Sequence, residues 1–80
     1  MPNLSSHRQH PSLRALGAAI RALREAKGMS QEDLALKAEV DRSYLGRVER
    51  GDNNPAFLTL QRIATVLGIR VSLLLTIAEL

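Results

Sequence analysis

Apolar residues recur at spacings of three and four through most of this chain, and each such stretch is followed by a glycine or a turn signal. The first stretch carries its stripe on Leu13, Leu16, Ile20 and Leu23. This spacing places apolar side chains on one face of an α-helix, and no stretch shows the every-second-residue alternation of a half-buried strand. With Gly28, Gly51 and Gly68 as stops, the pattern predicts an all-α domain of five short helices.

The size and charge of the chain narrow the possible functions. Its 80 residues suit one small domain with a single modest core. Eleven Lys and Arg against eight Asp and Glu leave a formal charge of +3, which favours a polyanionic partner such as nucleic acid. Most of the basic residues are arginine, which suits phosphate recognition but also follows from GC-rich coding.

Other residue types argue against membrane, metal and secreted proteins. The chain has no cysteine, which removes disulfides and thiolate metal sites. No apolar run approaches the ~20 residues of a membrane helix, so we expect a cytoplasmic protein. We expect residues 1–11 to be a disordered tail and residues 12–80 to form the domain. His7 and His10 lack further ligands, so we expect no metal and no cofactor.

Two short helices follow one another in the middle of the chain. Ser30 opens one of them, with Asp33 three residues later in a capping-box arrangement. Asp41 is a suitable N-cap for the next, which is expected to run to about Arg50 before Gly51 ends it. Helices of this length, joined by about three residues, have the layout of a helix-turn-helix, whose second helix enters the DNA major groove.

The stretch SQEDLALKAEVDRSYLGRVERGDNNPAFLTLQRIATVLG resembles the Cro and lambda-repressor type of helix-turn-helix protein. The segments GMSQEDLA, RVERG and LQRIATVLG occur in order with the right gaps, and the resemblance covers roughly residues 13–78. Within that family the chain is most similar to the controller proteins of restriction-modification systems, which carry similar DR[ST]Y and ERG..NP stretches. The resemblance implies a five-helix lambda-repressor-like domain in a homodimeric regulator that binds paired operator sites and controls its own promoter.

Helical geometry divides the third helix into two faces. The residues expected to point inward are Leu45, Val48 and Glu49, and those expected to point outward are Arg42, Ser43, Gly46 and Arg47. A bidentate contact from Arg42 to guanine would contribute roughly 1–3 kcal/mol of discrimination. A glycine at position 46 would let the helix approach the groove closely. Without the resemblance, these arginines are more typical of a solvated surface than of base reading.

The resemblance assigns roles to further residues. It implies base reading by Arg42, Ser43, Tyr44 and Arg47, and phosphate contacts by Gln31, Asn53 and Asn54, although Asn54 can equally serve the Asn-Pro turn. It also implies a structural salt bridge between Arg24 and Glu49.

Three positions depart from the family pattern. Glu39 stands where the turn usually has a left-handed glycine, and Ala56 stands where a Ser or Thr cap is common. Asp52 places a negative charge near the expected phosphate path.

The last helix, expected to begin at a Ser72 cap, is apolar nearly all round. We expect Leu73, Leu74 and Ile77 of this helix, together with part of the fourth helix, to form a two-fold dimer interface. Such a dimer would place two recognition helices roughly 34 Å apart, one turn of DNA. Transcriptional activation would require an additional contact with RNA polymerase.

Two other classes of function compete with DNA binding as explanations of this sequence. An antitoxin-like module that binds a toxin and represses its own promoter is the alternative, but the folded region is occupied by the DNA-binding domain. Catalysis is not supported, because no nucleophile elbow, metal-ligand spacing or phosphate-binding glycine loop is present in the sequence.

Overall fold

The computed structural model describes residues 6–80 and forms, over that range, five α-helices and no strand. The helices are α1 (Pro11–Ala26), α2 (Gln31–Ala38), α3 (Arg42–Arg50), α4 (Phe57–Val66) and α5 (Val71–Ile77). The all-α, five-helix prediction is therefore confirmed.

One apolar core holds the helices together. Its largest fully buried side chains are Ile20, Leu34, Leu45, Val48, Ile63, Leu67 and Leu74. Helix α1 packs on α3, α2 packs on α3 and α4, and α5 closes the core against α1 and α4. Because every helix or its end contributes to this core, the stripes predicted from the sequence meet in a single interior.

A glycine inside α1 sets the distance between α1 and α3. A Cβ atom placed on Gly17 would stand 2.5 Å from the Glu49 carbonyl oxygen and closer still to that of Val48. No side chain fits there, so the backbones of the two helices meet directly. This contact fixes how far α3 stands out from the rest of the domain.

The start of α2 and the turn that follows α2 both agree with the sequence. The Ser30 hydroxyl accepts the Asp33 amide at 3.0 Å, and the Asp33 carboxylate accepts the Ser30 amide at 3.0 Å, which completes the predicted capping box. These hydrogen bonds lower the pKa of Asp33. Glu39 has a φ of 61°, so the turn keeps its left-handed conformation without a glycine.

The ends of α1, α3 and α5 differ from the predictions in detail. Helix α1 begins at Pro11, and the Nδ1 atom of His10 accepts the Ser12 amide. Residues 6–9 form a turn that contacts the end of α3, so the predicted disordered tail was too long; residues 1–5 lie outside the described part. Arg70 rather than Ser72 is the N-cap of α5, and Asp41 occupies the N-cap of α3 without a side-chain hydrogen bond.

Within residues 6–80, no single helix is long and apolar enough to cross a membrane. Helices α4 and α5 reach that length and composition only together, and they meet at 86°.

Candidate nucleic-acid interface

The first turn of α3 presents polar side chains to solvent. Arg42 and Ser43 are exposed, and Tyr44 is half-buried, whereas Leu45 and Val48 on the opposite side lie in the core. An exposed guanidinium and a hydroxyl at the start of a helix supply donors and an acceptor that can meet base edges. The structure therefore brings Arg42 and Ser43 together at a free helix end, as the sequence predicts.

A buried ion pair anchors the same helix from below. Arg24 donates from Nε to Glu49 Oε2 at 2.7 Å and from Nη2 to Oε1 at 3.1 Å, while its Nη1 donates to the Met29 carbonyl oxygen. The Glu49 side chain is 2% exposed, so water cannot replace these partners. The hydrogen bond to Glu49 raises the pKa of Arg24, against the opposing effect of burial. The expected Arg24–Glu49 pair is thus present between α1 and α3.

Gln31 joins this anchor from the first position of α2. Its Nε2 atom donates to Glu49 Oε1 at 2.9 Å, which gives the carboxylate a third donor. The amide oxygen of Gln31 lies 3.7 Å from the place where a Cβ on Gly46 would stand. Gln31 therefore braces α3 and remains half-buried beside the N-terminal turn of α2, where free backbone amides favour an anion.

Two residues of the predicted outward face are not open to solvent. Gly46 is buried, and a Cβ placed on it would stand 3.3 Å from Arg50 Nη1. Arg47 is only partly exposed: its guanidinium carbon lies 5.9 Å from the ring centroid of Tyr44, and its buried Nε has no hydrogen-bond partner among the described residues. Burial also raises the pKa of the Tyr44 phenol. Gly46 is therefore not the open position expected, because the Arg50 side chain folds back over it.

The loop after α3 also differs from the prediction. Asp52 is 8% exposed, and its carboxylate accepts Gln9 Nε2 at 2.6 Å and Arg50 Nε at 3.3 Å. The bond from Gln9 is the main cause of a lowered Asp52 pKa. Asp52 is therefore a partnered carboxylate and not a free negative charge. Asn54 is exposed, whereas Asn53 is buried, and its Oδ1 has no hydrogen-bond partner among residues 6–80; phosphate contacts by these two side chains stay a prediction.

An open cleft of about 580 Å³ lies between the α2–α3 turn, α3 and the start of α4. Its lining includes Glu39, Tyr44, Arg47, Asn53 and Thr59. These groups are polar and of mixed charge, and residues 6–80 hold no group of three or more His, Cys, Asp or Glu that could bind a metal ion. The cleft borders α3 and the turn that precedes it.

Only part of the dimer surface predicted on α5 is exposed to solvent. Leu73 and Ile77 are 47% and 44% exposed, and they lie one helical turn apart. Leu74 is 0% exposed and belongs to the protomer's own core. Its assignment to a dimer interface was wrong, because an almost wholly apolar sequence does not reveal which side of the helix faces inward.

Three important residues were missed by the sequence reasoning. The glycine at position 17 is a recognisable signal, since a glycine within an amphipathic helix often marks a close backbone approach. Gln9 and Arg50 carry no such signal. Their contacts join the N-terminal turn to the end of α3, and they exist only because the chain returns to that point.

Comparison with known proteins identifies relatives of this chain. The helix-turn-helix family model matches residues 20–74. The immunity repressor of Bacillus phage phi105 is 44% identical over 57 residues, which cover 71% of this chain and 40% of the repressor, so the chain spans less than half of that relative.

Two solved structures share the fold. The restriction-modification controller protein C.AhdI from Aeromonas hydrophila is 45% identical, with a TM-score of 0.76 and coverage of 78% of this chain and 94% of C.AhdI. The clp gene regulator ClgR from Corynebacterium glutamicum is 34% identical, with a TM-score of 0.83 and coverage of 85% of this chain and 72% of ClgR. These relatives are transcriptional repressors, controllers or regulators and not enzymes.

Proposed function

Because this chain belongs to the helix-turn-helix family of DNA-binding transcriptional regulators, we propose that it binds its own promoter as a homodimer and controls a restriction-modification operon. The similarity to C.AhdI, a restriction-modification controller of nearly the same length as the matched region, supports the narrower part of this proposal. The immunity repressor supports repression as the mode of control.

The observation that carries the proposal is the pairing of an exposed face with an anchored one on α3. Arg42 and Ser43 are exposed at its N-terminal end, and Glu49, about two turns later, is held by Arg24 and Gln31. A helix fixed in this way can enter a groove without losing its position. Its exposed side chains then read base edges while Gln31 and the α2 N-terminus contact a phosphate.

A dimer is proposed because one protomer is too small for a two-part operator. The domain measures 31 × 26 × 20 Å and offers one recognition helix, whereas successive major grooves on one side of DNA are roughly 34 Å apart. Leu73 and Ile77 form an exposed apolar strip on α5 that a second copy would cover. The five helices share one core and so form one domain. We therefore propose that protein concentration is the switch: protomers accumulate, dimerise and then occupy the operator. Activation would add a contact with RNA polymerase.

Binding to the promoter tests the proposal. Fluorescence anisotropy with a duplex from upstream of the gene, and with single-base variants of it, should show a preference for the promoter sequence. Arg42→Ala should relax the preference at one base position in each half-site, by roughly 1–3 kcal/mol. Gln31→Ala should weaken binding to all duplexes alike, because phosphate contacts carry no sequence information.

Equal weakening of every duplex by Arg42→Ala would remove Arg42 from base reading. A wild-type protein with no preference for the promoter would refute the proposed function itself.

A further inference from the structure

The N-terminal turn contains a strained residue that the proposed function does not yet use. Gln9 has a φ of 64°, a conformation that costs a non-glycine residue about 1 kcal/mol. Such a conformation persists only where surrounding contacts hold it. The Gln9 amide N–H donates to the Gly51 carbonyl oxygen at 2.5 Å, and its Nε2 donates to the Arg50 carbonyl oxygen at 2.8 Å. Gln9 therefore covers the C-terminal end of α3.

The same side chain also reaches a carboxylate. Gln9 Nε2 donates to Asp52 Oδ1 at 2.6 Å, and Arg8 Nε lies 3.7 Å from that oxygen. The other oxygen, Oδ2, accepts Arg50 Nε at 3.3 Å. Asp52 thus links the N-terminal turn on one side to Arg50 on the other, and its side chain is only 11% exposed.

The position of Arg50 gives this link a consequence at the recognition helix. Its Nε donates to Asp52, and among residues 6–80 the two terminal amino groups have no hydrogen-bond partner, so they are available to a ligand. Nη1 lies 3.3 Å from the place where a Cβ on Gly46 would stand, and the Gln31 amide oxygen lies 3.7 Å from the same place. The Arg50 guanidinium therefore rests over Gly46, beside Gln31, and the side chain is 62% exposed.

We propose that Gln9 is a positioning residue for DNA binding: through Asp52 it holds the Arg50 guanidinium over Gly46, where its free amino groups contact a DNA phosphate. We call these three residues the Gln9–Asp52–Arg50 relay. This inference rests on the proposed function, because it places the phosphate next to Gln31. It also explains why position 46 is a glycine, since a side chain there would narrow the space that Arg50 occupies.

The lowered pKa of Asp52 agrees with this arrangement, because the carboxylate stays charged and keeps its hold on Arg50. A purely structural role for Gln9 would be limited to capping the carbonyl oxygens of Arg50 and Gly51. The two roles differ in what they predict for DNA binding, and substitutions along the relay distinguish them.

Gln9→Gly removes the side chain while tolerating the positive φ, so it separates the hydrogen bonds from the backbone strain. Anisotropy titrations across a range of salt concentrations would compare wild type, Gln9→Gly, Arg50→Ala and the double variant. The probes are the promoter duplex and a scrambled duplex of equal length. Each single variant should weaken binding to both duplexes roughly threefold to tenfold and lower the slope of log K against log salt by about 1. The double variant should bind no more weakly than Arg50→Ala.

Asp52→Asn supplies a second test, which stands even if Gln9→Gly proves poorly folded by circular dichroism. It removes one negative charge and so raises the net charge of the protein by one. General electrostatics then predicts tighter DNA binding, whereas loss of the relay predicts weaker binding. Arg21→Ala is the control for charge, because Arg21 is exposed on α1 and, within residues 6–80, its side chain pairs only with Glu25. It removes the same charge as Arg50→Ala and should change the salt slope less.

Additive effects of Gln9→Gly and Arg50→Ala, or tighter binding by Asp52→Asn, would overturn the relay. If wild type binds the two duplexes equally, the proposed function fails, while the salt slopes still decide for or against the relay. Absence of binding to either duplex would refute both.

Discussion

At the scale of single residues, the same kind of ion pair has two different consequences in this protein. Arg24 and Glu49 meet below the surface with side-chain exposures of 9% and 2%, whereas Arg21 and Glu25 pair on the open face of α1 with exposures of 64% and 56%. Removing one partner of the buried pair leaves a desolvated charge, but removing one partner of the exposed pair leaves a charge in water.

Arg24→Met should therefore lower the free energy of unfolding by about 3–5 kcal/mol, because Gln31 would be the one side-chain donor left to Glu49 among the described residues. Arg21→Ala should change it by no more than about 0.5 kcal/mol. Urea denaturation followed by circular dichroism measures both. Similar values for the two variants would contradict the structural role assigned to the buried pair.

Replacing Gly17 by alanine should destabilise the protein, although the same change usually stabilises a helix. Within an exposed helix, replacing glycine by alanine stabilises by about 1 kcal/mol. Gly17→Ala should instead lower the melting temperature, because the new Cβ would collide with the carbonyl oxygens of Val48 and Glu49, and overpacking of this kind costs about 1–3 kcal/mol or more. A thermal melt that shifts upward would show that α1 and α3 can separate without cost.

At the scale of elements, the N-termini of the helices differ in how their backbone amides are capped. Helix α2 begins with a complete capping box, but the N-cap residues of α3, α4 and α5 make no side-chain cap hydrogen bond; they are Asp41, Ala56 and Arg70. These three helices depend on tertiary packing for their first turns. The turn between α2 and α3 adds strain at Glu39, while Arg62 of α4 donates to the Ala38 carbonyl oxygen at 3.0 Å and holds the end of α2.

Glu39→Gly should raise the free energy of unfolding by about 1 kcal/mol, because glycine adopts the left-handed conformation without the Cβ clash. Glu39→Ala is the matched control: it removes the same charged group but keeps the strain, so it should give little or no gain. Urea midpoints, compared at an unchanged dependence on urea concentration, measure both variants. An equal gain from alanine would assign the effect to charge.

At the scale of the whole molecule, the exposed apolar surface of α5 carries the proposed dimer. Leu73 and Ile77 are exposed next to Leu74, which fills the core of the protomer. Substituting a charge for Leu74 would therefore unfold the protomer and could not report on dimerisation. Leu73 is the residue whose substitution separates assembly from folding.

Leu73→Glu should shift sedimentation velocity to the monomer and weaken operator binding, while leaving the melting temperature of the protomer nearly unchanged. Leu36→Glu is the control, because Leu36 is an 80% exposed leucine on α2, away from the proposed interface. It should leave the dimer intact. Persistence of the dimer in Leu73→Glu would place the interface elsewhere on the molecule.

The sequence by itself determined the features that depend on neighbouring positions in the chain. Helical spacing separated Leu45 and Val48 from Arg42 and Ser43, the Ser30–Asp33 spacing predicted a capping box, and the family motif located the left-handed turn at Glu39. Each of these follows from the period of one helix or from the chemistry of one helix end.

Only the tertiary structure decided which surfaces remain open. Gly46 is covered by Arg50, Asp52 is bound by Gln9, and Leu74 turns inward although its neighbours Leu73 and Ile77 do not. A periodic pattern shows that a helix has two faces, but burial also depends on side chains from distant parts of the chain that fold over it. Such contacts join positions as far apart as 9 and 52, and no local spacing records them.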